Sequence, residues 1–591
     1  MGVPISGPQE RRLLRLETPL GADALIPRHL SGSERLSAGF EFQLEAYSDT
    51  RHGLGAAELI GRPVGLGLAT EQGAARHFHA LVNGLEDLGR SQAGRRSHYR
   101  LKLVPWLWLL GQRSDCRVFQ RLSIPQVLER LTQPLVNQGL GRVDFSRLRA
   151  RHPVHRYLVQ YNETDLNALN RWAAREGIAY YFTHQHDGHT LHFIDDPLAV
   201  PLLDPETLLL TTDTPAQEHL RHWSRRERFV NAHFRESSYN YQHGPSALRA
   251  EARLGAPHDQ PPHSTGLQPY RDSEDYLNAE QGRLQLARRA ARETQQRSSV
   301  RAEGDYRCLR PGHGFRLRAT PGGGAVDEGR GFTLSGVHWE LTAQAGAGLA
   351  CATVLDAVPR GELVYPQAEQ PRISGLQTAV VTGQQPGTVH SDHGEDALGR
   401  VRVRFHWDRE QRLADQSSCW LRVMQQGGGR GVSAFYALPR VGDEVVVAFE
   451  NGNPDRPFVL GALPHPQRPP PYGAEPGRCG IRTESFDARG AAPGKWNELR
   501  FDDRKNAEEV YLRAEKDFNS DVLNDLSLRV GRQLSSTVGA SETRDVADSL
   551  TITAGARITL RVGGNSIVIS ESGIDITGGA VRIQGSPVSL N

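Results

Sequence analysis

The sequence has little cysteine, almost no net charge and no long hydrophobic run. Its five cysteines are widely separated and none belongs to a CxxC pair, which argues against a disulfide framework and against a zinc site. With 70 basic and 68 acidic residues, the chain lacks the positive field that binds nucleic acid without sequence preference. No stretch approaches the ~20 apolar residues of a membrane span, and the N-terminal stretch has no signal-peptide core. We therefore expect a soluble protein, synthesised in the cytoplasm without a signal peptide, that binds no nucleic acid, metal or other cofactor.

The motifs of common enzyme classes are also absent. GVSAF at 431–435 is not GxSxG, and no GxxxxGK[ST] loop or HExxH helix occurs. HWDRE at 406–410 does supply residue types used in acid and base catalysis. Alternation places His406 and Asp408 on one strand face, which fits an exposed barrel corner as well as a proton relay. We therefore predict no catalytic residues.

Glycine and proline are plentiful, with 61 and 35 residues, and helical periodicity is rare. This composition favours a mainly β protein, and 591 residues leave room for about four domains. The first part, residues 1–374, is called the base. It reads as strands and turns interrupted by helices near 123–131, 164–176 and 273–299.

Two of these helices carry informative side chains. Thr164 is a good N-cap for the second helix, and Gly177 is a good residue to end it. The third helix reads as an amphipathic surface helix. Its predicted apolar face consists of Leu277, Leu284, Ala287 and Ala291.

A histidine-rich hairpin follows the second helix, at residues 178–194, with Asp187-Gly188 at its predicted tip. It contains His184, His186, His189 and His192. Four imidazoles so close together could ligate zinc or copper, but no carboxylate or thiolate frame accompanies them. We therefore favour a solvated, exposed turn over a metal site.

Residues 375–463, called the barrel, contain five short predicted strands with Gly-rich connections, which indicates a small barrel of the OB type. Such barrels often bind oligonucleotides or sugars through aromatic side chains. The aromatic residues here are Phe405, Trp407, Trp420 and Phe435. Without a basic lining we interpret them as core and interdomain packing, and a glycan- or nucleic-acid-binding module remains the alternative.

Residues 464–515, called the neck, begin with six prolines in fourteen residues, the composition of a stiff, extended linker. Residues 516–591, called the needle, are repetitive. Valine or alanine recurs every eight residues from Val522 to Val562, and four of these six positions are followed by glycine. Apolar pairs then recur every seven residues, beginning at Ile567 and Ile569.

The needle repeat has a strand and a turn in each unit but too little circumference for a single chain. A triangular β-helix built from one chain needs roughly 18 residues per turn, and eight residues supply about one face. A lone chain would leave its apolar row in water and its strand edges unpaired. We therefore predict a symmetric trimer with an intertwined β-helix. Its predicted core consists of Val522, Val530, Val538, Val546, Val562, Ile567, Ile569, Ile574, Ile576, Val581 and Ile583.

Six stretches occur in an order that resembles a known family. They are LSGSERLSAGFEFQLEAYS (30–48), QYNETDLNALNRWAAREGIAYYF (160–182), GRVRVRFHWDRE (399–410), SSCWLRV (417–423), LPRVGDEVVVAFENGNPDRPFVLG (438–461) and NELRFDDRKNAEEVYLRAEKDFNSDV (497–522). From about residue 20 to the end, the chain resembles VgrG, the valine-glycine repeat spike of the type VI secretion system.

The resemblance implies a fold and a set of partners. The base would resemble the hub of a contractile phage tail, and the barrel and needle would resemble the cell-puncturing spike. The implied assembly is a homotrimer on the hexameric Hcp tube, in contact with baseplate components and transiently with a target membrane. The needle tip would dock a PAAR-repeat protein or a PAAR-containing effector, in some cases with an adaptor. The docking residues implied are Ser586, Pro587, Val588, Ser589, Leu590 and Asn591.

The resemblance also bears on enzymatic alternatives. The related phage spike carries a lysozyme domain between barrel and needle, whereas only a proline-rich linker and the neck occupy that interval here. Some family members carry a toxic domain after the needle, for which we expect no room beyond SPVSLN. A cell-wall-degrading spike enzyme is therefore the less favoured alternative to a structural spike secreted through the type VI apparatus.

Overall fold

The chain divides into two compact units, Met1–Glu515 and Lys516–Asn591. The computed structural model describes residues 9, 12–21, 23–49, 54–70, 75–90, 96–213, 217–241, 247–253, 263, 266–267, 269–272, 276–295, 297–320, 326–344, 348–393, 397–410, 416–427, 435–473, 475–487 and 490–589. The boundaries predicted within the first unit, at 375 and 464, stay predictions.

The base is built mainly from strands in which buried and exposed side chains alternate, as in β1 and in the middle of β3, because successive side chains of a strand point to opposite faces. In chain order its elements are β1 (Leu14–Glu17), β2 (Ile26–Arg35), β3 (Gly39–Ser48), α1 (Ala56–Leu59), β4 (Pro63–Ala69), β5 (Ala75–Arg90), β6 (Ser97–Val104), β7 (Ser114–Phe119), β8 (Leu122–Ser123), α2 (Ile124–Asn137), β9 (Arg142–Arg147), β10 (Val154–His155), β11 (Leu158–Thr164), α3 (Asp165–Glu176), β12 (Ala179–Gln185), β13 (Gly188–Ile194), β14 (Leu202–Leu210), β15 (Leu220–Glu227), β16 (His233–Tyr239), β17 (Ala247–Arg253), β18 (Tyr270–Asp272), α4 (Ala279–Thr294), β19 (Ser298–Gly304), β20 (Gly314–Ala319), β21 (Gly331–Ala343) and β22 (Leu349–Pro359).

Twelve of these strands form one sheet, in the order β1-β4-β5-β6-β3-β2-β21-β20-β14-β15-β19-β22. Because β22 also pairs with β21, the last six strands close into a ring. Closure leaves no free edge among those six strands. One hydrophobic core runs through both halves of the sheet and includes the fully buried Phe42, Trp106, Trp172 and Trp339.

The helices differ in how well their details match the prediction. α3 begins as expected, because the Thr164 side chain accepts a hydrogen bond from Asn167 N at 3.1 Å, and it ends at Gly177 with a left-handed φ of 72°. The apolar face predicted for α4 is wrong. Leu277 precedes the helix, and both Leu277 and Leu284 are exposed.

The buried face of α4 is formed instead by Leu286 and Ala290, which are one turn apart. They pack against Phe234, Ala250 and Tyr276 of the β16–β18 sheet region. The face is therefore set by the small sheet that the helix covers. Within the part of the chain that the structure describes, no helix is long and apolar enough to cross a membrane.

The barrel contains four strands in the order β24-β23-β25-β26. They are β23 (Gln377–Thr382), β24 (Arg402–Phe405), β25 (Glu444–Phe449) and β26 (Pro457–Leu463). The fifth predicted strand, at 419–425, contributes the isolated bridges Val401–Leu421 and Val423–Val459. The neck follows as an antiparallel sheet of β27 (Arg478–Asp487), β28 (Gly490–Asp502) and β29 (Glu509–Arg513).

The second unit, the needle, pairs strands within the chain at one place only among its described residues, 516–589. There β30 (Arg557–Val562), β31 (Asn565–Ser570) and β32 (Gly573–Thr577) form an antiparallel sheet. We predicted an intertwined helix through this segment, and the structure instead has two hairpins. The two-residue loop Gly563-Gly564, with φ of 54° at Gly563, favours a tight hairpin turn.

Candidate assembly surfaces

The needle exposes its apolar side chains. No residue from 516 to 589 is buried in the single chain. Val522, Val530, Val538 and Val546 are 43 to 50% exposed. An apolar row of this length is normally covered by another surface. The predicted core residues of the needle are therefore not buried within their own chain.

The antiparallel sheet of the needle has one clearly apolar face. Ile558 lies opposite Ile569, which lies opposite Ile574. Leu560 lies opposite Ile567, which lies opposite Ile576, so a second apolar row runs beside the first. Directly opposed residues share a face of the sheet. The predicted core residues Ile567, Ile569, Ile574 and Ile576 thus lie together on one face. Hairpins within the single chain bring them together there.

Three more predicted core residues lie at the end of β30 or beyond the sheet. Val562, Val581 and Ile583 are exposed. Among the predicted docking residues, Ser586 to Ser589 are also exposed. Leu590 and Asn591 lie outside the described residues.

The neck sheet exposes an apolar face as well. Cys479, Phe501 and Val510 form one row across its three strands, and Ile481, Leu499 and Leu512 form the next. Ile481, Phe501, Val510 and Leu512 are all exposed. A side-chain stack stiffens the sheet, because the Arg482 and Arg513 guanidinium groups lie 4.2 and 3.7 Å from the centre of the Trp496 ring.

The barrel, in contrast, is held to the base by direct contacts. Asp455, two residues before β26, accepts a hydrogen bond from Val159 N of β11 at 2.7 Å. Trp407 packs edge-on against Tyr161, with ring centres 6.1 Å apart, and donates to Gln377 Oε1 at 2.9 Å. Gln377 in turn donates to the Tyr161 hydroxyl at 2.8 Å. Every polar atom in this joint that we name has a partner, as a buried joint requires.

The four barrel aromatics have different environments. Phe405 is buried in the barrel core, and Trp407 joins that core to the base, so both fulfil the packing interpretation. The Trp420 ring is half-buried beneath the Arg402 guanidinium, 4.4 Å from the ring centre. Phe435 is 50% exposed, so the packing interpretation is wrong for this residue.

The HWDRE segment does not form a paired site. β24 ends at Phe405, so the strand alternation that placed His406 and Asp408 together does not continue. The His406 side chain is exposed and lies 3.0 Å from Thr378 Oγ1, whereas Asp408 is buried. Arg409 pairs with Asp115 of the base. This segment therefore serves the joint between barrel and base.

The histidine hairpin also departs from the prediction. Its turn is His186-Asp187, because Gln185 pairs with Gly188. His186 is exposed, but the side chains of His184 and His189 are buried against β5. The prediction of four solvated imidazoles is therefore wrong for these two residues. Among the described residues, no group of three or more His, Cys, Asp or Glu side chains is arranged to hold a metal ion.

Hydrogen bonds define the protonation of these buried imidazoles. Trp106 N donates to His189 Nε2 at 3.1 Å, so the proton of that ring lies on Nδ1. His189 Nδ1 then donates to His79 Nδ1 at 3.1 Å. Burial lowers the pKa of His79 from 6.5 to about 4, and it holds the pKa of His189 well below its usual value. His79 and His189 are therefore neutral at physiological pH.

A second polar cluster surrounds the C-terminal end of α3. Glu176 accepts from Arg288 at 2.7 Å, and it lies 3.2 Å from both His152 and His155. His152 also pairs with Asp195 at 3.0 Å. Against the cost of burial, these two carboxylates raise the pKa of His152 to about 9. His152 is therefore charged at physiological pH, whereas His79 and His189 are neutral.

Family models match three successive parts of the chain. Residues 33–345 match the phage tail baseplate hub (GPD), residues 385–463 the type VI secretion system/phage-baseplate injector OB domain, and residues 479–576 the bacteriophage T4 gp5 C-terminal trimerisation domain. The type VI secretion system spike protein VgrG1a of Pseudomonas aeruginosa is 30% identical over 621 residues, which cover 98% of this chain and 93% of that protein. The chain belongs to the VgrG family of type VI secretion spike proteins.

Two solved structures share the fold of this VgrG chain. The E. coli c3393 protein, a component of the type VI secretion system similar to phage T4 gp27 and gp5, has a TM-score of 0.54 at 19% identity. The match covers 76% of this chain and all of that one. A chain of the half-lidded Francisella PdpA-VgrG complex has a TM-score of 0.54 at 8% identity, covering 85% of this chain and 88% of that one.

Membership confirms the resemblance drawn from the six sequence stretches and the mainly β organisation with an OB domain. This VgrG is the spike component of a type VI secretion system, with a base related to phage baseplate hubs. The match at 479–576 spans the apolar faces of both the neck and the needle. The segment without apolar partners within the chain is therefore the segment related to a trimerisation domain.

Proposed function

We propose that three copies of this chain form a spike that caps the Hcp tube, carries a PAAR-repeat protein or PAAR-containing effector on its tip, and punctures a target membrane when the sheath contracts. The observation that carries the proposal is the unburied apolar row of the needle, within the segment matched by a trimerisation domain. Residues 516–556 form no strand pairs within the chain, which counts against a repeat that closes on itself.

The energetics favour association of three chains. Fully burying a Val, Leu or Ile side chain contributes ~1.5 to 3 kcal/mol. Each octad offers only a few such side chains, so stability accumulates by repetition along the needle and by threefold association. A prism whose strand edges are all paired has few soft torsions, and it suits a mechanical role. We accordingly propose that the spike has no catalytic step of its own.

The proposed partners follow from family membership and the same architecture. The three bases would contact the hexameric Hcp tube and baseplate components, with an adaptor assisting cargo loading in some systems. The tip residues 586–591 would dock the PAAR protein. The spike would leave the cell through the apparatus itself and would contact the target membrane transiently.

The test is the mass of the purified protein in solution by light scattering. We expect full-length protein near three times 65.3 kDa. A variant ending at residue 480, which lacks the neck sheet and the needle, should be monomeric or much weaker as a trimer. A variant ending at residue 515 keeps the neck and separates its contribution from that of the needle. A stable full-length monomer would overturn the proposal.

A further inference from the structure

Most octads of the needle place apolar residues at alternate positions that share a strand face. Leu526, Leu528 and Val530 are two residues apart, so they point to the same side of an extended chain. Equivalent sets recur at eight-residue intervals. They are Leu534, Ser536 and Val538; Leu550, Ile552 and Ala554; and Ile558, Leu560 and Val562.

The opposite face of the same octads is polar throughout. Its members are Asp525, Ser527 and Arg529; Gln533, Ser535 and Thr537; Ser541, Thr543 and Asp545; Ser549, Thr551 and Thr553; and Arg557, Thr559 and Arg561. The alternation is therefore consistent over five octads. It assigns the row that contains the valines to the needle interior and the other row to solvent.

One octad breaks the apolar row. Glu542 and Arg544 occupy the two positions that hold Leu526 and Leu528 in one octad, and Val546 completes their set. In the single chain the two charged side chains pair at 3.2 Å, and both are more than half exposed. A face that is apolar or small elsewhere thus carries two opposite charges at one level.

We infer that Glu542 and Arg544 form a ring of alternating charges between the three copies, at one level of an otherwise apolar needle, and that this ring sets the register of the chains. The inference rests on the homotrimer proposed above. Threefold symmetry brings three glutamates and three arginines to the same level. Pairing each Glu542 with Arg544 of its own or a neighbouring copy satisfies all six charges.

The reason for a register device is the repeat itself. If one chain slips by eight residues, valine meets valine or alanine at most levels and Leu526 takes the place of Leu534, although Leu528 takes the place of Ser536, so apolar packing resists the slip only weakly. At the charged level the same slip puts Glu542 and Arg544 of one copy against apolar neighbours. Unpaired charges in an apolar interior are costly. A single polar layer fixes register in coiled coils by the same physics, at some cost in stability.

The experiment compares three variants of the full chain. Glu542→Leu with Arg544→Ile restores the apolar pattern, Glu542→Leu alone leaves three unpaired arginines, and Glu542→Arg with Arg544→Glu exchanges the charges. Trimer stability is followed as resistance to heat on denaturing gels. Register is followed by pulsed EPR with a nitroxide at the solvent-facing position 551, attached through a noncanonical residue so that the native cysteines stay unmodified.

We expect wild type and the charge exchange to give one narrow distance, because both keep the ring paired. The double apolar variant should stay trimeric and at least as heat-resistant, but its distances should broaden through slipped registers. Glu542→Leu alone should lose the heat-resistant trimer. A narrow distribution in the double apolar variant, or an undiminished trimer in Glu542→Leu, would overturn the ring while leaving the trimer intact. Wild type that is monomeric by light scattering would overturn the trimer proposal itself.

Discussion

The buried, neutral His79 of the base predicts a specific loss of stability in acid. The folded protein holds the pKa of His79 near 4 because the ring is buried beside other imidazoles, whereas in the unfolded chain it returns to 6.5. Between these values the unfolded chain binds a proton that the folded chain does not. The free energy of unfolding therefore falls as pH decreases through this window. At ~1.4 kcal/mol per pKa unit, the full effect is roughly 3 kcal/mol, with about 2 kcal/mol lost by pH 5.

The substitution that isolates this effect is His79→Asn. An asparagine oxygen can take the place of Nδ1 as acceptor for His189, and it does not titrate in this range. The assay is urea unfolding at pH 7 and pH 5, followed by tryptophan fluorescence, since Trp106 and Trp339 are fully buried in the base. The variant should lose about 2 kcal/mol less than wild type between the two pH values.

A matched control is His338→Asn, because His338 lies on the exposed side of β21. The change in its free energy of unfolding between pH 7 and pH 5 should equal that of wild type. The comparison uses the difference between two pH values, so a general destabilisation of either variant does not affect it. If His79→Asn lost as much stability as wild type on acidification, titration of His79 would not be the cause of the acid-induced loss.

Two further predictions concern the other cluster and the tip. His152→Gln should remove an alkaline loss of stability: the folded pKa near 9 means that wild type is fully stabilised below pH 6.5 and loses up to roughly 3 kcal/mol as pH rises through 9. Urea midpoints at pH 7 and 9 measure this loss. A variant that lost as much stability as wild type between the two pH values would contradict the prediction. Removing residues 586–591 should abolish capture of a purified PAAR-repeat protein without changing the trimer mass. Retained capture would place the docking surface elsewhere.

Sequence reasoning succeeded where the signal is local. The eight-residue spacing of valines in the needle is visible without any knowledge of distant contacts, because one strand and one turn repeat. The cap at Thr164 and the end at Gly177 depend on neighbouring residues only, and the structure has both. The hairpin turn at Gly563-Gly564 was missed, although two glycines between alternating strands are a recognised signal for it.

Sequence reasoning failed where the environment of a residue depends on residues far away along the chain. His184 and His189 were predicted to be solvated because alternation near a turn indicates exposure. They are buried against β5, whose His79 contacts both residues. His79 lies 105 residues before His184 and 110 residues before His189 in the chain. The prediction of the apolar face of α4 failed for the same reason. The β16–β18 sheet region that the helix covers decides which side chains are buried, and the spacing of apolar residues in the helix does not.

The polar contacts between base and barrel had no local signal, although Trp407 was predicted to pack in the core or between domains. Asp115 pairs with Arg409, and Val159 N donates to Asp455, across more than 290 residues in each case. Such pairs form only when the two parts meet, so neither partner stands out in isolation. Hence Asp115, Val159 and Asp455 were not among the residues singled out in the sequence.

The distribution of unpartnered apolar surface separates the two structural tasks of the chain. The base and barrel each bury a continuous core. The needle buries none of its residues from 516 to 589 within its own chain, and the apolar rows of the neck and needle run through the segment that matches a trimerisation domain. The base therefore has its core without a second chain, whereas in the proposed trimer the needle obtains its core from neighbouring copies. The charged level at Glu542 and Arg544 lies in the part for which we propose that neighbouring copies supply both burial and register.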